Sequence, residues 1–297
     1  MGSWVRQSMF SLGLIGAFLV PAVHAADYTF SVVAKNLSKP TGIAASGDDT
    51  LYFTQVPTPG VGGGSNSVAE LDLESGAITI LHQGEPEPTN IAVDREENLY
   101  WTCKSAGVIL RQSEDGNTAP LPLKLNKPSG ISVDRRGNVY FTEVPLPGGK
   151  NNSVSVFDGT TKTVLHVGEP EPTDVVVSRH GSIYWTCKSA GIILEQTGGV
   201  TRVLVKDLNK PTGIALSRNG RKLYFTEVPT PGVPGSAGGK NTVKVLNLRS
   251  KEIEVIHAGD PEPTDVTVAR NGNVYWTCTS AGVIVEAKLH RRDRDDD

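Results

Sequence analysis

An all-β chain of six repeated four-stranded units is the fold class this sequence predicts, and three observations predict it. The phrase YWTCKSAG at Tyr100–Gly107 returns at Tyr184–Gly191 and again, as YWTCTSAG, at Tyr275–Gly282. A second phrase alternates with it, YFTQVPTPG from Tyr52, YFTEVPLPG from Tyr140 and YFTEVPTPG from Tyr224. Pro40, Pro88, Pro128, Pro172, Pro211 and Pro263 mark six phases, and a phase of about 45 residues is the length of four short strands with their turns. Odd and even phases differ, so the expected ring is a six-bladed β-propeller built from three two-blade repeats.

Each element of a unit follows from alternation and turn chemistry. In the third unit GISVD is an inner strand, DRRGN a tight turn, NVYFTEV a second strand and NSVSVFD a third; DGTT turns the chain into an outer strand, KTVLHV. No segment sustains a helical period. The last unit, from Pro263, reaches only three strands before residue 290, and TFSVVAKNLSKP from Thr29 aligns with VTRVLVKDLNKP from Val200. The stretch Thr29–Lys35 is therefore expected beside Gly282–Lys288, where it supplies the missing strand, closes the ring and covers an open edge.

The remaining segments set the compartment. Residues 1–25 carry Arg6, an apolar run from Leu12 to Val20 and an Ala-Val-His-Ala close, which reads as a signal peptide cleaved before Ala26. The run is too short to span a bilayer, so a secreted protein with no membrane attachment after cleavage is expected. The propeller occupies residues 26–289, and residues 290–297 form a charged disordered tail. With 29 basic and 32 acidic side chains, the chain offers no basic field for nucleic acid. Cys103, Cys187 and Cys278 repeat at one place in alternate blades, about 20 Å apart if strands are spaced as in ordinary sheets, too far for a disulfide or a shared metal.

Strand polarity gathers GEPEPT, CKSAG and VPTPG on one face and the polar hairpin turns DREEN, DRRGN, RHGS and RNGRK on the other. The repeated, unusual sequence on the first face points to a site there. At the entry to the inner strands Gly42, Asn90, Gly130, Asp174, Gly213 and Asp265 alternate. Asn90, Asp174 and Asp265 would form an oxygen ring around the axis, able to hold a divalent cation such as calcium, with Glu87, Glu171 and Glu262 behind it. The competing reading is that these side chains cap their own turns. At the second-strand exits Glu143 and Glu227 are acid–base candidates if they face the channel, against a role in bonding neighbouring backbone. His82, His166 and His257 lie on outer strands too far apart for one metal, and Trp101 with its repeats is expected to pack between blades.

The P-x-G-I-A-V-D phrasing of KPTGIALS and PEPTNIAVD resembles NHL-repeat propellers and, more loosely, the senescence-marker-protein/gluconolactonase group, across the mature chain. That resemblance implies a six-bladed propeller and, in the second group, a divalent cation at the axial mouth held by acidic and amide residues; Asn90, Asp174 and Asp265 are the matching positions. The group's N-terminal glutamate ligand has no counterpart in this chain. Two classes of function follow. One is a secreted enzyme acting on a small organic molecule, most simply by cation-assisted lactone or ester hydrolysis. The other is a non-catalytic propeller presenting one face to a glycan, protein or small ligand, a reading favoured by near-equal repeats. A non-hydrolytic tailoring enzyme is a third possibility.

Overall fold

The computed structural model describes residues 28–57, 65–145, 152–168, 171–229 and 240–290. The expected signal peptide and nearly all of the tail lie outside them. Among the described residues the chain forms six four-stranded antiparallel sheets and no helix. Strand β1 (Tyr28–Ala34) precedes the first blade, β2 (Pro40–Ser46), β3 (Thr50–Gln55), β4 (Ser67–Asp72) and β5 (Ile78–Gln83). The second blade holds β6 (Pro88–Val93), β7 (Leu99–Cys103), β8 (Val108–Gln112) and β9 (Thr118–Pro120). The third holds β10 (Pro128–Val133), β11 (Val139–Glu143), β12 (Ser153–Phe157) and β13 (Lys162–Val167); the fourth holds β14 (Pro172–Val177), β15 (Ile183–Cys187), β16 (Ile192–Thr197) and β17 (Val200–Val205). The fifth comprises β18 (Pro211–Leu216), β19 (Lys222–Glu227), β20 (Thr242–Asn247) and β21 (Ile253–Ala258), and the sixth β22 (Pro263–Val268), β23 (Val274–Cys278) and β24 (Val283–Leu289).

The sixth blade is completed by β1, in the order β1-β24-β23-β22. Tyr28 pairs with Leu289 and Ala34 with Ile284, so the expected closure by the N-terminal strand is the one observed. Every inner strand shifts register against its second strand just after the proline, for example between Pro88 and Ile91. The amide freed by that shift donates to a buried threonine: Gly42 N to Thr54 Oγ1 at 2.8 Å, Asn90 N to Thr102 at 3.1 Å, Asp174 N to Thr186 at 3.1 Å. Several of these hydroxyls donate onward to an inner-strand carbonyl of the following blade, as Thr102 to Ser129 O at 2.7 Å and Thr186 to Thr212 O at 2.7 Å. One repeated threonine thus satisfies a buried donor and ties two blades together.

The neighbouring inner strands of each blade pair also approach closely. A Cβ on Gly42 would lie 2.5 Å from Asn90 Cα, on Gly130 2.4 Å from Asp174 Cα and on Gly213 2.5 Å from Asp265 Cα. Glycine opposite Asn or Asp is therefore a packing requirement, and it is what makes the ring a trimer of blade pairs. Between blades, Trp101, Trp185 and Trp276 are fully buried against aliphatic side chains and the three cysteines.

Candidate functional site

The inner strands bring Asn90, Asp174 and Asp265 together on the axis, only 8%, 4% and 5% exposed. Asn90 Nδ2 donates to Asp174 Oδ1 at 3.0 Å, and the Asp174 and Asp265 carboxyl groups hydrogen-bond to each other. Each side chain also accepts the amide of the next residue: Ile91 on Asn90 at 2.6 Å, Val175 on Asp174 at 2.8 Å, Val266 on Asp265 at 2.8 Å. The second carboxylate oxygens reach across to the following blade, Asp174 Oδ2 accepting Ile214 N at 2.9 Å and Asp265 Oδ2 accepting Ile43 N at 2.8 Å. Local capping and axial convergence, set against each other in the sequence reading, occur together.

Burial holds the proton affinity of this pair high. Desolvation, then the charge of Asp265, raises Asp174 well above the usual carboxylate range. Desolvation pushes Asp265 up to about 7, against the lowering effect of the Ile43 and Val266 amides and of the Asp174 hydroxyl that it accepts. The two carboxyl groups therefore hold a proton as a pair. The trio lines an axial cavity of about 170 Å³ that continues down the inner strands to Ala45, Val93, Val133, Leu216 and Val268. Ala45, Val93 and Val133 also line a wider cavity of about 640 Å³, so the channel leads from the trio toward the face of the polar hairpin turns.

Two carboxylates and one amide oxygen are hard donors of the kind a divalent cation takes, and each oxygen that accepts one amide keeps a further lone pair. Among the described residues no three His, Cys, Asp or Glu side chains are placed to hold a metal, so Asn90 would have to serve as the third ligand.

Glu143 and Glu227 stand elsewhere. Neither lines the axial cavity. Glu143 accepts Asn126 N at 2.8 Å and pairs with Lys162; Glu227 accepts Asn209 N at 2.7 Å and pairs with Lys244. Their oxygens fasten the loop that enters each blade, and Gln55 does the same through Ser38 N at 2.7 Å. Glu171 and Glu262 accept hydrogen bonds from Ser189 and Ser280, and Glu87 pairs loosely with Lys104 at 3.9 Å. Each histidine packs on the tryptophan of the following blade, His82 on Trp101 at 4.8 Å and His257 on Trp276 at 5.7 Å. The cysteines form no disulfide, and burial followed by the nearby Glu85 or Asp260 charge pushes the Cys103 and Cys278 thiols up to about 12.

The chain is a six-bladed β-propeller with a buried acid–amide trio on its axis. No protein-family model matches it. It is similar to low-density lipoprotein receptor-related protein 1 of Pyricularia oryzae, 29% identical over 281 residues covering 79% of this chain and 85% of that one. It also matches low-density lipoprotein receptor-related protein 5 of Mus musculus, 28% identical over 148 residues, 48% of this chain and 9% of that protein. Among solved structures, a gluconolactonase from Xanthomonas campestris superposes with a TM-score of 0.70 at 17% identity, covering 88% of this chain and 90% of the other. A streptogramin B lyase gives 0.63 at 17% identity, with 91% and 100% covered. The resemblance read in the blade phrasing therefore holds at the level of the propeller fold.

Proposed function

We propose that this propeller is an enzyme acting on a small organic molecule whose reacting group enters the axial channel, by hydrolysis or elimination, with a lactone or ester as the simplest substrate. The observation that carries this reading is the Asn90–Asp174–Asp265 trio, hydrogen-bonded across the axis at one end of a cavity. The gluconolactonase and the lyase among the structural neighbours support the class of chemistry. In hydrolysis, Asp265 takes a proton from water as the water oxygen bonds the carbonyl carbon. Asp174 gives its proton to the departing alkoxide as the C–O bond breaks. Proton transfer from Asp265 to Asp174 restores the pair. Asn90 positions Asp174 through its amide donor. The same three residues would hold a divalent cation, calcium being the simplest, which when bound would polarise the carbonyl. The leader-like N-terminus supports secretion.

The test is turnover of a panel of lactones and aryl esters by the purified protein, with and without calcium and with chelator. Asp174→Asn and Asp265→Asn should each lower turnover about 100-fold, in the range of a lost general acid or base, while keeping the wild-type circular dichroism. Turnover unchanged in both variants would overturn the assignment. No turnover by the wild type on any member, with saturable binding of one, would instead select the binding propeller.

A further inference from the structure

The turns that follow the inner strands repeat a residue that the candidate chemistry does not use. Two positions after each strand end stand Arg95, Arg135, Arg179, Arg218 and Arg270, with Asp48 in the first blade. All five arginines are exposed, on the face opposite the trio. Five guanidiniums recur at one position, and the acidic turn residues Asp48, Glu96 and Glu97 that share this face fall in the first two blades. None of the five guanidiniums lies within 4 Å of a carboxylate among the described residues.

The aspartates of the second and third turns, Asp94 and Asp134, bond their own turns and not the guanidiniums. Asp134 accepts Arg136 N and Asn138 N on Oδ1 and Asn138 Nδ2 and Tyr140 OH on Oδ2. Asp94 is held in the same way by Glu96, Asn98 and Tyr100. The third to sixth blades carry the feature furthest. A cavity of about 590 Å³ there is lined by Arg135, Arg179, Arg218, Arg270 and Lys222, and its lining contains no Asp or Glu. That volume suits a small ligand rather than a macromolecule. Arg179 Nε donates to the His180 ring at 2.9 Å, which leaves its terminal amino groups for a ligand.

We infer that this cavity binds a compact oligoanion bearing two or more phosphate or sulfate groups. A guanidinium meets a tetrahedral oxyanion through paired N–H donors, and four of them around one hollow match several such groups on a small scaffold better than they match one. The site is independent of the proposed catalysis, because binding is read without turnover.

Titration calorimetry of the full protein in 150 mM salt tests it, with tripolyphosphate and inositol hexasulfate as probes for the phosphate and sulfate sources and inorganic phosphate as the single-group comparison. Saturable binding of either oligoanion, at least about tenfold tighter than inorganic phosphate, is expected from the added charge-assisted hydrogen bonds. The variant Arg135→Gln/Arg218→Gln should weaken it about tenfold or more, whereas Lys104→Gln/Lys188→Gln, which removes the same charge from the opposite face, should leave it unchanged. Equal loss in both variants would mean nonspecific charge attraction, and no saturable binding of either oligoanion would remove the site; either result overturns the inference.

Discussion

Gly191 occupies a backbone position that other residues cannot take cheaply. Its φ is +63°, and a Cβ there would lie 2.4 Å from Leu208 O, the carbonyl of the residue whose amide donates to Gly191 O at 2.9 Å. Gly107 and Gly282 meet Leu125 and Leu37 in the same way, which is why the phrase ends in glycine each time. Gly191→Ala should destabilise the protein by about 2 kcal/mol or more, since it adds a clash to left-handed strain; urea midpoints check it. The acid pair yields a pH signature. Asp265 titrates near 7 when folded and near 4 when unfolded, so between those values the folded state binds more protons and the pair's contribution to stability falls as pH rises. Asp265→Asn should flatten that part of the stability profile between pH 4.5 and 7.5, and an unaltered slope would contradict the raised proton affinity. Calcium-dependent stabilisation, if carried by the trio, should vanish in Asp174→Asn/Asp265→Asn; persistence in a thermal melt would place the cation elsewhere. The trio was legible as alternating Gly and Asp/Asn. Its mutual hydrogen bonds were not, because they join side chains of non-adjacent inner strands across the axis.

At the scale of elements, the closing strand was legible because AKNLSKP repeats the VKDLNKP that leaves the fourth blade, and Leu37 indeed plays the part of Leu208, its amide donating to Gly282 O at 2.9 Å. The outer strand of the second blade is the exception to regularity. There β9 spans only three residues and ends at Pro120, since a proline cannot donate to the ladder and Pro122 repeats the obstacle two residues on. Removing residues 28–34 should expose β24 as an edge with unpaired backbone groups. The expected outcome is a lower melting temperature together with concentration-dependent association in sedimentation velocity, and a monomer of unchanged stability would show that β1 is dispensable.

For the whole molecule, the threonine and carboxylate bonds link successive blades around a closed circuit, with no terminal repeat that frays alone. Calorimetric and van't Hoff enthalpies should therefore agree, unlike those of an open array; a populated intermediate would show that the blade pairs unfold independently. The channel has chemically opposite ends, an acidic trio at one and arginines at the other. Reading turns as solvated hairpins hid the second end, because an arginine in DRRGN is ordinary in one turn and becomes unusual only when five turns share one mouth. The direction in which the axial cavity runs was equally hidden, being set by small side chains such as Ala45 and Val93 along the inner strands.

The pairing of Tyr28 with Leu289 has a mechanical meaning. The two strands that seal the ring run antiparallel, and their outermost residues sit side by side. Tension applied between residues 28 and 289 therefore peels β1 from β24 one backbone bond at a time, instead of shearing the whole row at once. A ring that heat opens only cooperatively is, to a pull on these two positions, fitted with a zip.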